Sequence, residues 1–489
     1  SRDSVRVVVT TYNRGRATVV ATAPRVVGTG GECSTRDADA RDTSSSINAP
    51  RAGDDAITIL PDSASVRHVW LCAAPTGEPG WLRAPRVGDM FATRPTLLPN
   101  DDRGRPGDVQ VFVWLETLGH RRFGLPYSVS PVRRYADPVR GEVRRPVARV
   151  PMITMLLDRA VELAPANVPI DRTARVRLRS AARSPRDVSV SVRVPEGLIA
   201  DTAARTLTLP AGGTATVSFR LRGRLAEGSH RIAVRAESAG EQYGVGSTTI
   251  DYDHIRPRRL YRRAVTDVVA ADLAVPPGLA VAYLPGVSDN VAPTIEQLGI
   301  PVALISASAL ASLDPARTPV LVIGPRAYET NDTLAATAAA VLEFARRGGT
   351  VVVQYGQHEM MQPGIMPYPI TIERRADRVT DEDAPVRVVD AASSVLTYPN
   401  RITNRDFAGW VQERSLYMPR TFDGRYHAPL SMNDPGEAPN QGAILVAPVG
   451  RGTYVYTTLS FFRQLPAGHP GAARLFVNLL AAGQRPARR

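Results

Sequence analysis

Two hydrophobic rhythms that no single fold accommodates divide this chain. In the first, Ala174, Val176 and Leu178 alternate with Arg175, Arg177 and Arg179, and Val188, Val190, Val192 and Val194 are separated by polar residues such as Ser189 and Ser191. Successive side chains of a strand point to opposite faces, so a period of two marks strands buried on one side only. The series runs on through Thr206–Leu209, a Pro210-Ala211-Gly212-Gly213 turn, the apolar set Ala215, Val217, Phe219 and Leu221, then Ile232, Val234 and Ala236, and the segment Tyr243–Tyr252. About seven strands in roughly 85 residues predict an immunoglobulin-like β-sandwich, placed at residues 151–253. Arg175, Arg177 and Arg179 then share an outer sheet face, where solvation is the simplest role and a grip on an acidic ligand the alternative.

The second rhythm is continuous. Leu279–Tyr283, Pro301–Ile305, Pro319–Ile323 and Thr350–Gln354 are unbroken apolar runs, interleaved with helical patterns at Asn290–Leu298 and over an Ala-rich stretch, Asp332–Arg347, that ends at Gly348-Gly349. Strands buried on both faces and alternating with helices predict a doubly wound α/β layer over residues 268–485. Ala443–Ala447, Gly452–Leu459 and a helix at Ala472–Ala482 complete it. A basic stretch, His254–Arg263, reads as part of a linker over 254–267.

Upstream the pattern is weaker. Residues 57–150 carry short alternating runs, Ala56–Leu60 and Val109–Glu116 among them, broken by Pro/Gly turns, and read as a β-rich linker module. Residues 1–56 are dominated by Arg, Ala, Thr, Ser, Asp and Gly and read as disordered or low-complexity. The shift after Asp55 also fits a frame or boundary artefact, and the chain opens at Ser1 without a leader pattern, so the expectation is that the natural protein continues upstream. A length of 489 residues itself argues for about three domains.

The formal charge of +13 rests on 60 basic residues, every one an arginine. They are spread along the chain with only 6% aromatic residues, so no nucleic-acid partner is expected. No run is long and apolar enough to span a bilayer, and no membrane span is expected. Cys33 and Cys72 read as two unpaired thiols.

The run Val320-Leu321-Val322-Ile323-Gly324-Pro325-Arg326-Ala327-Tyr328-Glu329 and the segment Gly348-Gly349-Thr350-Val351-Val352-Val353-Gln354-Tyr355 resemble the class I glutamine amidotransferase-like fold. More narrowly, they resemble the version of that domain attached to bacterial PIG-L (LmbE-like) family deacetylases. The resemblance extends through Arg378-Val379-Thr380-Asp381-Glu382, Trp410-Val411-Gln412-Glu413-Arg414, Asp434-Pro435-Gly436-Glu437 and Phe461-Phe462-Arg463-Gln464-Leu465-Pro466-Ala467-Gly468. Upstream, Trp81-Leu82-Arg83-Ala84-Pro85, Gly88-Asp89 and Tyr135-Ala136-Asp137-Pro138-Val139-Arg140-Gly141-Glu142 match the linker region of the same long proteins. The resemblance implies N-acetyl sugar deacetylation by a zinc domain N-terminal to this chain, with an extracytoplasmic setting, secreted or periplasmic, left open.

The chain's own residues do not repeat that chemistry. The family's His-Pro-Asp-Asp zinc motif is missing: only His469 precedes a proline, and Gly471 stands where aspartate is required. An amidotransferase needs a cysteine at the turn after a central strand, but no cysteine follows Cys72, and Tyr355, with an ordinary pKa near ~10, is a poor nucleophile. No catalytic residue, metal ligand or cofactor is therefore expected here, zinc belonging to the absent domain. A residual ligand crevice at the strand ends remains, built from Arg326, Tyr328, Glu329, Tyr355, His358 and Glu359, with loop residues bonding one another as the plainer reading. The acidic run Asp377, Asp381, Glu382 and Asp383 reads as a solvated loop, and Arg463 and Arg474 as packing residues rather than carboxylate receptors. The expected role is that of a non-catalytic accessory region that packs on the deacetylase domain or positions its substrate. The rival is a stand-alone carbohydrate-binding protein using Trp81, Trp114 or Trp410 as stacking platforms.

Overall fold

The computed structural model describes residues 4–28, 56–72, 86–87, 90–91, 109–117, 125–129, 131–146, 150–255 and 257–484. Strands predominate, gathered into several separate sheets.

The N-terminal expectation fails over its first half. Ser4–Asn13 pairs antiparallel with Ser63–Cys72, and Val19–Ala21 and Arg25–Gly28 join a sheet with Ile57–Ile59, Val109–Thr117 and Leu125–Val129. Val9, Ala21, Ile59, Val69, Val111 and Val113 close a small core. Low apolar content misled because strands this short bury only one or two side chains each, and their partners lie far along the chain. Residues 29–55, with Cys33, and residue Trp81 lie outside the described residues.

The alternating segments form two facing sheets. One orders Ile153–Leu157, Ile170–Ser180, Thr214–Gly223 and Leu198–Ala200. The other orders Val161–Pro165, Val265–Ala271, Gly228–Ser238, Arg186–Arg193 and Ala204–Leu209. Met155, Val176, Leu178, Val188, Val190, Phe219 and Val234 interdigitate between them, which makes a β-sandwich. Its predicted end at 253 is too early. Val265–Ala271 runs parallel to Val161–Pro165 and antiparallel to Gly228–Ser238, so the tail of the predicted linker and the start of the predicted α/β segment complete the second sheet. The basic stretch is itself a strand, Arg258–Arg263, paired with Val245–Ile250.

Beyond it lies a six-stranded sheet in the order Val302–Leu304, Val281–Leu284, Val320–Ile323, Thr350–Gln354, Gly452–Thr457, Ile444–Val449. All neighbours pair parallel except the last. Val320, Val322 and Val352 face one apolar cluster with Ile295 and Phe476, while Leu321, Ile323, Val351 and Val353 face another with Val341 and Phe344, so both sheet faces are buried. The predicted long helix is broken into Asp332–Ala336 and Ala338–Arg346. At the break the Thr337 hydroxyl donates back to the Thr333 carbonyl at 2.7 Å, a local bond that competes with the helical ladder. Sandwich and sheet share an interface: Leu163 packs in the core beside Leu279, and its N–H donates to the Gln297 side chain at 2.7 Å.

The last helix, Pro470–Leu480, is capped by His469, whose Nδ1 accepts from the Ala472 N–H at 3.2 Å while Nε2 lies 2.8 Å from the Ala408 carbonyl. One nitrogen must accept and the other donate, which suits the neutral ring, and burial pushes the His469 pKa below its usual value. The fold thus binds this proton less readily than the unfolded chain does. Its contribution to stability is complete above about pH 6.5 and is lost as the pH falls through the folded pKa. His469→Asn, which keeps an acceptor without titrating, is expected to lose less stability than the parent between about pH 8 and about pH 5; equal losses in urea unfolding would count against this account.

Candidate functional site

Arg326 follows the strand Val320–Ile323 through Gly324-Pro325, and Tyr355 follows Thr350–Gln354, so adjacent parallel strands deliver both residues to the same sheet edge. Backbone joins them, the Arg326 N–H donating to the Tyr355 carbonyl at 2.7 Å. Arg326 adopts a left-handed conformation, φ 57°, that arginine rarely takes. Its guanidinium reaches both Glu329 oxygens at 2.6 Å, and Gln357 donates to the same carboxylate at 3.1 Å. The bond from Arg326 holds the Glu329 carboxyl below its usual pKa, and Glu329 in turn raises that of Arg326.

The Tyr355 ring lies nearly parallel to Tyr417, with centroids 6.2 Å apart and planes 7° apart, and 5.6 Å from Phe462. Tyr417 too has a left-handed backbone, φ 52°. Strained backbone at two facing positions is a mark of a site held in place by its surroundings. Arg378 lies 5.1 Å over Tyr417, Arg463 lies 4.9 Å over Phe462, and Arg463 pairs with Glu413 at 2.6 Å. Tyr355 is 7% exposed, so the half-buried rings of Tyr417 and Phe462 beside it form the accessible part of an aromatic floor edged by three guanidiniums and two carboxylates. Burial raises the Tyr355 pKa, so its hydroxyl stays protonated.

The predicted crevice is only partly assembled. Arg326, Glu329 and Tyr355 meet. Tyr328 turns inward, 5% exposed, into the core beneath the sheet, and its hydroxyl has no partner among the described residues. His358 is exposed and bonds the Glu373 carbonyl at 2.9 Å, away from the aromatic floor. Glu359 accepts from the Gln357 N–H at 2.8 Å and stabilises its own turn. That turn leads into a short 3-10 segment, His358–Met361, instead of the long helix that follows a nucleophile elbow. Tyr417, Phe462, Gln357, Glu413 and Arg378 were not predicted as site residues, and Arg463 was read as packing; Gln357 sits in the turn after Tyr355 itself, and the others come from chain segments that reach the sheet from downstream.

The neighbouring strand ends are sealed. A sheet of this order opens a crevice where its winding reverses, here between Val281–Leu284 and Val320–Ile323. Their loops close on each other through Val287 N–H to Pro325 O and Gly324 N–H to Leu284 O, both 2.8 Å. Beneath, Tyr283 donates to Asp289 at 2.8 Å and accepts from Gln354 at 2.9 Å.

Trp410 is 3% exposed, donates to the Asp406 carbonyl at 2.9 Å and packs on Phe407 and Phe461, so it cannot serve as a stacking platform. The side chain of Trp114 lies outside the described residues. Asp377 pairs with Arg420 at 2.9 Å and accepts from Asn440 at 2.6 Å, and Arg474 pairs with Asp406. Among the described residues no three His, Cys, Asp or Glu side chains converge as a metal ion requires. A cavity of about 150 Å³ lies at one end of the sandwich, where Ile170, Leu198, Leu225 and Val268 meet the Arg172–Glu162 ion pair of 3.2 Å.

No protein-family model matches the chain, and no curated protein matches it. Solved structures resemble parts of it faintly. The Caenorhabditis elegans MSP family member WR4 is 14% identical, with 24% of this chain and 98% of that one covered and a TM-score of 0.15. Red sea bream transglutaminase is 14% identical, covers 55% of this chain with 29% of its own length, and gives 0.24. The Calx CBD1 domain is 12% identical over 25% of this chain and 99% of its own, at 0.15. Likenesses of this size carry no argument about fold or function.

Proposed function

We propose that this chain is the non-catalytic accessory region of a PIG-L family deacetylase acting on N-acetyl sugars. In this reading its C-terminal layer is a doubly wound, class I glutamine amidotransferase-like domain without the cysteine, and it packs on a zinc domain outside this chain and offers sugar a shallow cleft. The observation that carries it is the ring pair Tyr355 and Tyr417 at a strand's carboxyl end, where a hydrolase of this design would hold its nucleophile. Aromatic faces cover the apolar side of a pyranose, and planar bidentate groups such as Arg326 and Glu329 suit its hydroxyls.

The test is calorimetric titration with a panel of N-acetylated amino-sugar oligomers. Binding is expected to weaken about tenfold in Tyr417→Ala, the loss of the half-buried ring of the pair, and to survive in Tyr417→Phe. No heat across the panel would remove the cleft from the account. A stand-alone carbohydrate-binding protein is the second reading, favoured by the fact that every cleft residue named comes from one chain. Turnover separates the two: the accessory reading expects N-acetyl hydrolysis from a product that includes the zinc domain and none from this chain. Metal-dependent hydrolysis by this chain alone overturns both.

A further inference from the structure

The outward face of the first sandwich sheet carries Arg175, Arg177 and Arg179 at alternate positions of Ile170–Ser180, all exposed. Opposite them on Thr214–Gly223 stand Ser218, Thr216 and Thr214, in the register Arg175 with Ser218, Arg177 with Thr216 and Arg179 with Thr214. Alternate strand residues are about 7 Å apart, so the three guanidinium stems form a row of about 14 Å with a parallel row of hydroxyls beside it.

Neighbouring arginines are treated differently. Arg172 pairs with Glu162, Arg205 with Asp201, Arg220 and Arg222 share Asp171, and Arg231 pairs with Asp267. Among the described residues no carboxylate pairs with Arg175, Arg177 or Arg179. Three exposed like charges without a paired carboxylate on one strand face repel one another, a cost that an anionic partner would reverse. The residues of both strands on this face are arginines, serine, threonines and Asp171, with no aromatic side chain on which a nucleic-acid base would stack.

We propose that Arg175, Arg177 and Arg179, with Thr214, Thr216 and Ser218, form a docking surface for a linear polysaccharide bearing carboxylates at intervals along its chain. The polymer lies along the strand direction, its carboxylates meeting guanidiniums and its hydroxyls meeting the serine and threonine row. The net charge of +13 draws the polyanion towards the protein, and the row selects where it settles. This surface lies on a different sheet from the Tyr355 cleft and stands or falls without it.

The experiment is binding of the full chain to polygalacturonate fragments at about 20 mM salt. The triple variant Arg175→Gln, Arg177→Gln, Arg179→Gln is compared with a control, Arg193→Gln, Arg235→Gln, Arg401→Gln, which removes the same charge from exposed positions elsewhere. The row variant is expected to bind about tenfold more weakly, the sum of three exposed ion pairs, and the control to stay within about twofold of the parent. Melting temperature reports whether the row variant remains folded; if it does not, Arg177→Gln alone is expected to weaken binding about twofold. No binding by the parent, equal losses in the two triple variants, or oligodeoxythymidine of matched charge bound as tightly through the same arginines would each overturn the proposal.

Discussion

Gly324→Val is expected to destabilise the six-stranded sheet by about 3 kcal/mol, the upper end of overpacking. A Cβ at position 324 would lie 2.2 Å from an Asp289 carboxylate oxygen, 2.4 Å from the Gly286 nitrogen and 3.0 Å from the Gly286 Cα. Gly286 has no room to retreat, since its own Cβ would fall 2.0 Å from the Pro325 carbonyl oxygen. Two of the three obstacles are backbone, and both loops are pinned by the bonds between Val287 and Pro325 and between Gly324 and Leu284. A substitution here must therefore part the loops, and with them Asp289 from the buried Tyr283 hydroxyl. The measurement is the urea midpoint of the C-terminal transition. Gly424→Ala, where a Cβ meets open space, should move it by less than about 0.5 kcal/mol. A Gly324→Val midpoint equal to that of the parent would mean that the loop contact is not what closes this strand end.

Asn478→Leu should cost about 4 kcal/mol although it adds apolar volume to an apolar helix. Asn478 is 0% exposed within Pro470–Leu480. Its Oδ1 accepts from the Asn400 N–H at 2.9 Å and from the Asn400 side chain at 3.1 Å, while its Nδ2 donates to the Asn400 carbonyl at 2.7 Å and the Val395 carbonyl at 3.0 Å. Leucine would leave the Asn400 N–H and the carbonyls of Asn400 and Val395 without this partner, while the Asn400 side chain keeps the Ala274 carbonyl at 3.0 Å, and each buried group left unpaired costs about 1–3 kcal/mol before any rearrangement. Asn478→Asp keeps the acceptor but sets a carboxylate oxygen against the Asn400 and Val395 carbonyls in a fully buried site, so a loss at least as large is expected. If the leucine variant unfolds at the parent's urea concentration, the asparagine pair contributes nothing net.

The strand Thr350–Gln354 was predicted with the bounds it has, because an apolar run ending at a glycine pair on one side and a turn on the other leaves little choice. Local evidence failed at Val265–Ala271. That segment follows a basic stretch and straddles the predicted boundary between linker and α/β layer at 267/268, yet it is the strand between Val161–Pro165 and Gly228–Ser238. Its assignment rests on a parallel partner far upstream, which no local window contains. The candidate site divides in the same way. Arg326, Glu329 and Tyr355 could be named because strand ends are legible from hydrophobic runs. Tyr328 and His358 could not be sorted from them, since a difference of one or two positions at a turn decides whether a side chain meets the core, the solvent or the cleft. Tyr417 could not be found at all, because nothing in its neighbourhood announces a left-handed backbone at a tyrosine.

What the amino-acid order determined by itself is therefore the kind of surface each segment presents: buried on one side where polar residues alternate with apolar ones, buried on both where they do not. Side-chain direction along a strand is a property of the backbone alone, so periodicity reports it without knowledge of any partner. The tertiary structure alone decided which strands became neighbours, which loop end was sealed by Gly286 and Gly324, and which was left as an aromatic floor edged with arginine. Those outcomes depend on distances between segments brought together only when the layers close, and closure is a property of the whole packed chain.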